Sequence, residues 1–144
     1  MKNEFNLFQV LTPKVSTFYI KEGSTIRQAI EKFAFHKFSA IPIIKDNGEY
    51  LTSISEGDVL RYIASVNNFD ISLSEVTPVE DIEKYRPYLA IGIDATFDEL
   101  YALSLTQNFI PIVDDRNMFI GIVKRRDVFV YLKMQCSKSL DQSK

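Results

Sequence analysis

The amino-acid sequence predicts an α+β (α/β) fold made of two β-α-β-β-α repeats packed with pseudo-two-fold symmetry. The main observation is internal repetition, because residues 41–60 (IPIIKDNGEYLTSISEGDVL) return without a gap as residues 110–129 (IPIVDDRNMFIGIVKRRDVF). Each copy holds an apolar-Pro run, a polar turn, a second apolar run and Asp-Val at a predicted helix start. A repeat of this length indicates one structural unit present twice. Two such units should form paired, related clefts.

Composition and charge favour a small globular protein. The 144 residues, of which 46% are hydrophobic, suit one compact domain or two half-size units that share a core. A net charge of −2 and a pI near 5.4 argue against binding to nucleic acid. The sequence has neither a signal-peptide pattern nor an apolar stretch of the roughly 18 residues that cross a membrane. We therefore expect a cytoplasmic location and no membrane partner.

The first repeat is predicted over residues 11–66. A run of β-branched and aromatic residues predicts a strand at Val15–Ile20. Ser24 or Thr25 is expected to cap the following helix, whose apolar residues recur at helical spacing. The wholly apolar run Ile41–Ile44 predicts a strand that is buried on both faces.

A hairpin and a second helix complete this repeat. Asn47-Gly48 predicts a two-residue turn, because both central positions of such a turn need positive φ. Tyr50–Ile54 is predicted to form the second hairpin strand. Ser55 is predicted to open the second helix.

The second repeat, predicted over residues 88–136, repeats this order of elements. Its predicted strand, helix, two hairpin strands and final helix are Leu89–Ile93, a helix from near Thr96, Ile110–Val113, Met118–Val123 and Arg125–Gln135. The remaining segments are an N-terminal extension over 1–10, a polar linker over 67–87 and a flexible tail over 137–144.

Three stretches carry a family resemblance. Phe38–Pro42 has the form hydrophobic-Ser-x-hydrophobic-Pro, Ser55–Asp58 has the form Ser/Thr-x-x-Asp, and Gly121–Val123 has the form Gly-hydrophobic-hydrophobic. In a β-α-β-β-α unit of this size, these elements resemble the CBS domain, which is named after cystathionine β-synthase and occurs in tandem pairs. The resemblance covers Leu11–Met134, and the chain looks like a stand-alone pair of the Bateman type.

The resemblance implies a regulatory module that binds an adenine-containing ligand in a cleft between the repeats. The implied ligands are AMP, ADP, ATP, S-adenosylmethionine or a cyclic dinucleotide, and no cofactor is required. Helix contacts in CBS pairs imply a homodimer, which would transmit the signal through its geometry or through that of a regulated partner protein.

The resemblance also implies site residues, since each family cleft combines the helix element of one repeat with the hydrophobic-Pro stretch of the other. Cleft one would use Ser55, Asp58, Asn108, Phe109 and Ile110. Cleft two, which we favour, would use Ser39, Ala40, Ile41, Lys124, Arg125, Arg126 and Asp127.

Elementary chemistry is compatible with these roles. Asp58 and Asp127 lie in the first turns of their predicted helices, where each carboxylate could accept two hydrogen bonds from a ribose diol. The basic residues 124–126 surround the second helix start, where the helix dipole already favours a phosphate. Glu56 opposes a phosphate at cleft one. A single occupied site in cleft two is therefore expected.

Simpler roles remain open for the same residues. Asp58 fits a helix cap equally well, Arg125 and Arg126 fit a solvated helix face, and Ser39 and Asn108 fit loops that enter buried strands. Two departures from the family pattern, Lys124 in place of Ser or Thr and Thr52 in place of Gly, favour the alternative function. In that alternative, the pair is a structural or dimerisation module with degenerate clefts.

The sequence gives no indication of an enzyme or of a metal site. His36 is the sole histidine and is expected at a helix end, on the surface or as a C-cap, while Cys136 is the sole cysteine and is expected late in the last helix. A metal site would need more of these ligands, and no catalytic motif is present.

Overall fold

The structure of the protein is a computed structural model that describes residues 5–66 and 71–142. Parts of the predicted extension (1–4), linker (67–70) and tail (143–144) lie outside the described residues. The chain forms two compact units. The first-repeat unit is Phe18–Tyr88, and the second-repeat unit combines the chain up to Thr17 with the chain from Leu89 onward.

The elements confirm the predicted α+β fold. In chain order they are β1 (Leu11–Pro13), β2 (Ile20–Lys21), α1 (Ile26–His36), β3 (Ala40–Ile44), β4 (Tyr50–Ser55), α2 (Glu56–Val66), β5 (Ile91–Gly92), α3 (Phe97–Ser104), β6 (Phe109–Val113), β7 (Phe119–Lys124) and α4 (Arg125–Gln142). Short 3-10 turns cover Leu7–Gln9, Lys14–Ser16, Ile71–Glu75 and Val79–Asp81.

Each unit contains one sheet with the same core arrangement. In the first-repeat unit the strand order is β2-β3-β4, and in the second-repeat unit it is β1-β7-β6-β5. The central strands β3 and β6 run parallel to β2 and β5, and antiparallel to β4 and β7. Their apolar-Pro sequences are buried almost throughout, as predicted. Each unit has its own apolar cluster, built around Ile41 and Ile43 in one and Ile110 and Ile112 in the other.

The strand predicted at Val15–Ile20 is wrong in most of its length. Val15 is 94% exposed and lies in a 3-10 turn, and only Ile20 belongs to a strand. The preceding strand β1 instead pairs antiparallel with β7, which brings Leu11 opposite Val123. Because Pro13 ends β1, the chain then turns before it enters the first-repeat unit.

The two hairpin turns share one geometry, which differs from the predicted two-residue turn. Of the Asn47-Gly48 pair only Gly48 has positive φ, at 97°, and its N–H donates to the Lys45 carbonyl. Lys45 also donates to Glu49, so the loop holds three residues and ends in a residue with positive φ. At the equivalent place in the second-repeat unit, Asn117 has φ of 64°.

The first helix of each repeat starts as its sequence predicts. Thr25 and Thr96 each form a capping box, with Gln28 and Glu99 respectively. The last helix differs from prediction because α4 continues to Gln142, through part of the expected tail. No helix among the described residues is both long and apolar enough to cross a membrane.

Candidate functional site

Asp58 belongs to the N-terminal cap of α2, which is one of the two roles that the sequence predicts for this residue. The Ser55 N–H donates to Asp58 Oδ2 at 2.9 Å, and the Asp58 N–H donates to Ser55 Oγ at 3.1 Å. This reciprocal pair satisfies two N–H groups that a helix start leaves free. Asp58 is 3% exposed.

The other oxygen of Asp58 is also occupied by the chain. Oδ1 accepts a hydrogen bond of 2.9 Å from the Tyr85 N–H and one of 3.2 Å from Arg61 Nη2. The guanidinium of Arg61 lies 4.5 Å from the centre of the Tyr85 ring. Only 150 Å³ of cavity remains beside these residues. Both oxygens of the carboxylate therefore already accept hydrogen bonds from the protein itself.

The start of α4 gives Asp127 a different environment. Asp127 is half-buried, and its carboxylate has no hydrogen bond or ion pair with the part of the chain that the structure describes. It lines a 590 Å³ cavity inside the second-repeat unit, between α4 and the N-terminal segment. The lining residues are Gln9, Val10, Leu11, Thr12, Asp127, Val130, Tyr131, Met134, Gln135 and Lys138.

The basic residues next to Asp127 do not line this cavity. Arg125 Nε donates to the Ser104 carbonyl at 2.7 Å, so its guanidinium anchors α4 to α3. Arg125 and Arg126 line a separate open groove of 450 Å³ on the helix surface. Lys124 is exposed at the end of β7. Among the residues that line the Asp127 cavity, the cation is Lys138.

The hydrophobic-Pro stretches occupy matching places in the two units. Ser39 and Asn108 are exposed, and their carbonyls accept hydrogen bonds of 3.0 Å from the first N–H of α2 and of α4, respectively. The apolar residues that follow them are buried; they are Ala40, Ile41, Phe109 and Ile110. Each stretch is thus tied to the helix start of its own unit.

The structure explains why position 121 is a glycine, which the sequence alone does not. Its φ is 152°, and a Cβ at this position would lie 2.2 Å from the Thr12 carbonyl oxygen. Thr52 takes the equivalent position on β4, in a sheet with no strand equivalent to β1 among the described residues. The Gly-to-Thr difference therefore follows from the presence of β1 on β7.

Most residues that line these two sites were missing from the sequence prediction, among them Thr12, Arg61, Tyr85 and Lys138. Lys138 could have been found from helical spacing, because residues at positions 127, 131, 134 and 138 fall on one helix face. Thr12 and Tyr85 could not, because their positions depend on pairing and linker contacts that are remote in sequence.

The sole histidine and the sole cysteine line neither the Asp127 cavity nor the cavity beside Asp58. His36 ends α1, with its ring 4.0 Å from Phe18 and 5.5 Å from Phe38, while Lys37 forms the left-handed C-cap. Cys136 is exposed on α4. Within residues 5–66 and 71–142, no group of three or more His, Cys, Asp or Glu side chains is placed to hold a metal ion.

Comparison with known proteins gives a family match over most of the chain. The CBS domain family matches twice, at residues 9–65 and 71–133. A homoserine O-acetyltransferase of Methanocorpusculum labreanum is 26% identical over 72% of this chain, but the chain spans only 20% of that protein. An uncharacterized protein of Methanocaldococcus jannaschii is 25% identical over 76% of this chain and 82% of its own length.

Solved structures share the fold at low sequence identity. A hypothetical conserved protein of Geobacillus kaustophilus aligns with a TM-score of 0.80 and 21% identity, over 92% of this chain and 98% of that one. CBSX2 of Arabidopsis thaliana, in complex with AMP, aligns at 0.72 and 22% identity, over 92% and 98%. CbpB of Listeria monocytogenes, in complex with c-di-AMP, aligns at 0.76 and 19% identity, over 91% and 97%.

Proposed function

Because the chain belongs to the CBS domain family, we propose that it is a regulatory module that senses an adenine nucleotide in the cytoplasm and performs no catalysis. The observation that carries the proposal is the unpartnered carboxylate of Asp127 in a 590 Å³ cavity. This volume lies within the range of about 300–1,000 Å³ that small-molecule sites occupy.

Two proteins of the same fold support the class of ligand. One is in complex with AMP and another with c-di-AMP, and both ligands contain adenine, ribose and phosphate. We extend the shared chemistry to this chain as AMP, ADP, ATP, S-adenosylmethionine or a cyclic dinucleotide.

The role proposed for Asp127 is recognition of the ribose. A carboxylate accepts hydrogen bonds only, and a ribose diol offers two O–H donors side by side. The carboxylate of Asp127 has no donor within the described chain, so a ligand that supplies two donors would add charge-assisted hydrogen bonds. The apolar residues Val10, Leu11 and Met134 on the same cavity suit the faces of a base.

Cations on both sides of Asp127 suit the phosphate of the ligand. Lys124 and Arg126 are exposed at the helix start, where the dipole favours an anion. Lys138 lines the cavity three turns further along α4. We also retain Ser39, Ala40 and Ile41 as proposed contacts of the same ligand, on the basis of the family pattern.

Signal transmission is proposed to pass through a homodimer or a regulated partner protein. The helix α4 exposes several large apolar side chains, which are Phe129, Val130, Met134 and Leu140. Such a surface suits a second protein chain. A nucleotide would act by binding one subunit geometry more tightly than another, since equal affinities shift no equilibrium.

One observation favours the alternative function, a dimerisation module with degenerate clefts. The carboxylate of Asp58, proposed for cleft one, already accepts three hydrogen bonds from the chain. If Asp127 were equally unable to bind, the pair would serve structure alone.

A thermal-shift screen separates the two functions. AMP, ADP, ATP, S-adenosylmethionine and c-di-AMP would each be added to the purified protein. A nucleotide at 100 times its dissociation constant adds about 2.7 kcal/mol to the free energy of unfolding. We expect Asp127→Asn to remove that gain, whereas the control Asp98→Asn, an exposed acidic residue in the first turn of α3, retains it. No gain with any of the five would leave the structural alternative.

A further inference from the structure

We infer that Arg61 and Tyr85 close the first-repeat counterpart of the Asp127 cavity, so that the chain carries one nucleotide site and a second that is filled by its own side chains. This inference rests on the proposed function for its ligand, but its structural part stands on contacts inside the first-repeat unit. These contacts join α2 to the segment that leads toward β5.

The carboxylate of Asp58 is occupied by donors from the chain itself. Asp58 is 3% exposed and accepts hydrogen bonds from the N–H groups of Ser55 and Tyr85 and from the Arg61 guanidinium. A ribose diol would need the same oxygen atoms. It would have to displace donors that are already held in place, one of them charged, which makes binding unfavourable.

Arg61 contacts both Asp58 and the ring of Tyr85. Its guanidinium contacts Asp58 at 3.2 Å and lies 4.5 Å from the centre of the Tyr85 ring. A cation over an aromatic face is attracted to it, and Arg86 approaches the same ring at 5.6 Å. The charge of Arg61 thus connects the helix to the linker residue Tyr85.

Lys84 anchors the linker next to Tyr85. The ammonium group of Lys84 donates to the carbonyls of Val79 and Ile82. These two bonds hold the backbone immediately before Tyr85. The Tyr85 N–H is therefore directed at Asp58 by a fixed segment.

Equivalent positions of the two repeats differ at Arg61. Asp58 corresponds to Asp127, and Tyr62 corresponds to Tyr131, so both features are present in both repeats. Arg61 corresponds to Val130, which lines the Asp127 cavity and cannot donate to a carboxylate. The cavity measures 150 Å³ beside Arg61 and 590 Å³ beside Val130. We assign the difference between an open and a closed site to this exchange and to Tyr85.

A reciprocal exchange tests the inference. Arg61→Val would give the first repeat the residue of the second, and Val130→Arg would do the reverse. Titration calorimetry with AMP, and separately with c-di-AMP, would count the sites. We expect one site in the wild type, two in Arg61→Val and none in Val130→Arg. The control Arg86→Val removes a cation near Tyr85 that makes no bond to Asp58, and should leave one site.

Hydrogen exchange at the Tyr85 amide tests the closure without any ligand. Loss of a charge-assisted contact should speed this exchange by about tenfold in Arg61→Val, and leave it unchanged in Arg86→Val. Unchanged exchange in Arg61→Val would overturn the closure, and faster exchange with a site count still at one would overturn its role in blocking the site. Absence of binding by every variant would instead refute the proposed function, while the exchange result would still decide the closure.

Discussion

The two units of this chain use the same helix-start carboxylate in opposite ways. In the first-repeat unit, Asp58 is buried and bonded to its own cap, to Arg61 and to Tyr85. In the second-repeat unit, Asp127 lines a cavity and has no partner among the described residues. Duplication supplies two copies of the helix-start carboxylate, and a few neighbouring residues then decide which copy faces an open cavity.

The sheets differ in a matching way. The second-repeat sheet has an added edge strand, β1, whereas the first-repeat sheet ends at β4. The N-terminal segment that contains β1 also forms one wall of the Asp127 cavity, through residues 9–12. The strand at the edge of the second sheet thus also lines the Asp127 cavity.

The largest effect on this difference is expected from Gly121→Ala. The new Cβ would meet the Thr12 carbonyl at 2.2 Å, at a φ of 152° that side chains rarely adopt. Chemical denaturation should show a loss of about 3–5 kcal/mol in the free energy of unfolding. The control Thr52→Gly, at the equivalent position of β4, should lose about 1 kcal/mol at most. Equal losses would mean that β1 does not pack on Gly121.

A smaller effect should separate the two carboxylates. Asp58→Ala leaves the partly buried N–H groups of Ser55 and Tyr85 without their acceptor, and we expect a loss of about 1–3 kcal/mol. Asp127→Ala removes only a favourable charge from a helix start, which is worth about 0.3–1 kcal/mol. Denaturation of both variants without ligand provides the measurement. A larger loss for Asp127→Ala would contradict the assignment of Asp58 as the structural carboxylate.

A third prediction concerns Tyr50, whose equivalent in the second repeat is Phe119. The Tyr50 hydroxyl is bonded to Ser53 and to the Tyr88 carbonyl, and burial raises the pKa of Tyr50 above its ordinary value of about 10. A raised pKa in the folded state means that folding favours the protonated hydroxyl. The stability that it contributes is present below pH 10 and is lost as the pH rises further.

The measurement is the free energy of unfolding of the wild type and of Tyr50→Phe as a function of pH. The difference between the two proteins should be constant below about pH 9 and shrink by about 1 kcal/mol by pH 11, because phenylalanine does not titrate. A constant difference up to pH 11 would show that the Tyr50 hydroxyl is not buried as described.

Short-range sequence patterns correctly predicted the parts of the fold that depend on residues close together in the chain. The helix starts at Thr25 and Thr96 and the apolar-Pro strands β3 and β6 follow from neighbouring residues, and the structure has them where they were expected. The strand β1 was missed because its partner, β7, is more than 100 residues away, and apolar alternation does not disclose such pairing.

The site shows the same division. The first-turn positions of Asp58 and Asp127 could be predicted from the sequence, but their different environments could not. Asp58 accepts a hydrogen bond from the backbone N–H of Tyr85, and a backbone donor cannot be inferred from the type of residue that carries it. Arg126 and Asp127 are neighbours in the sequence but line different cavities, because adjacent residues on a helix point about 100° apart.

The central claim is tested most directly by a crystal structure of the protein grown with AMP or c-di-AMP. We expect ligand hydroxyl groups within hydrogen-bond distance of the Asp127 carboxylate, while Asp58 keeps its bonds to Arg61 and Tyr85. A nucleotide bound to Asp58, with the Asp127 cavity empty, would contradict the account.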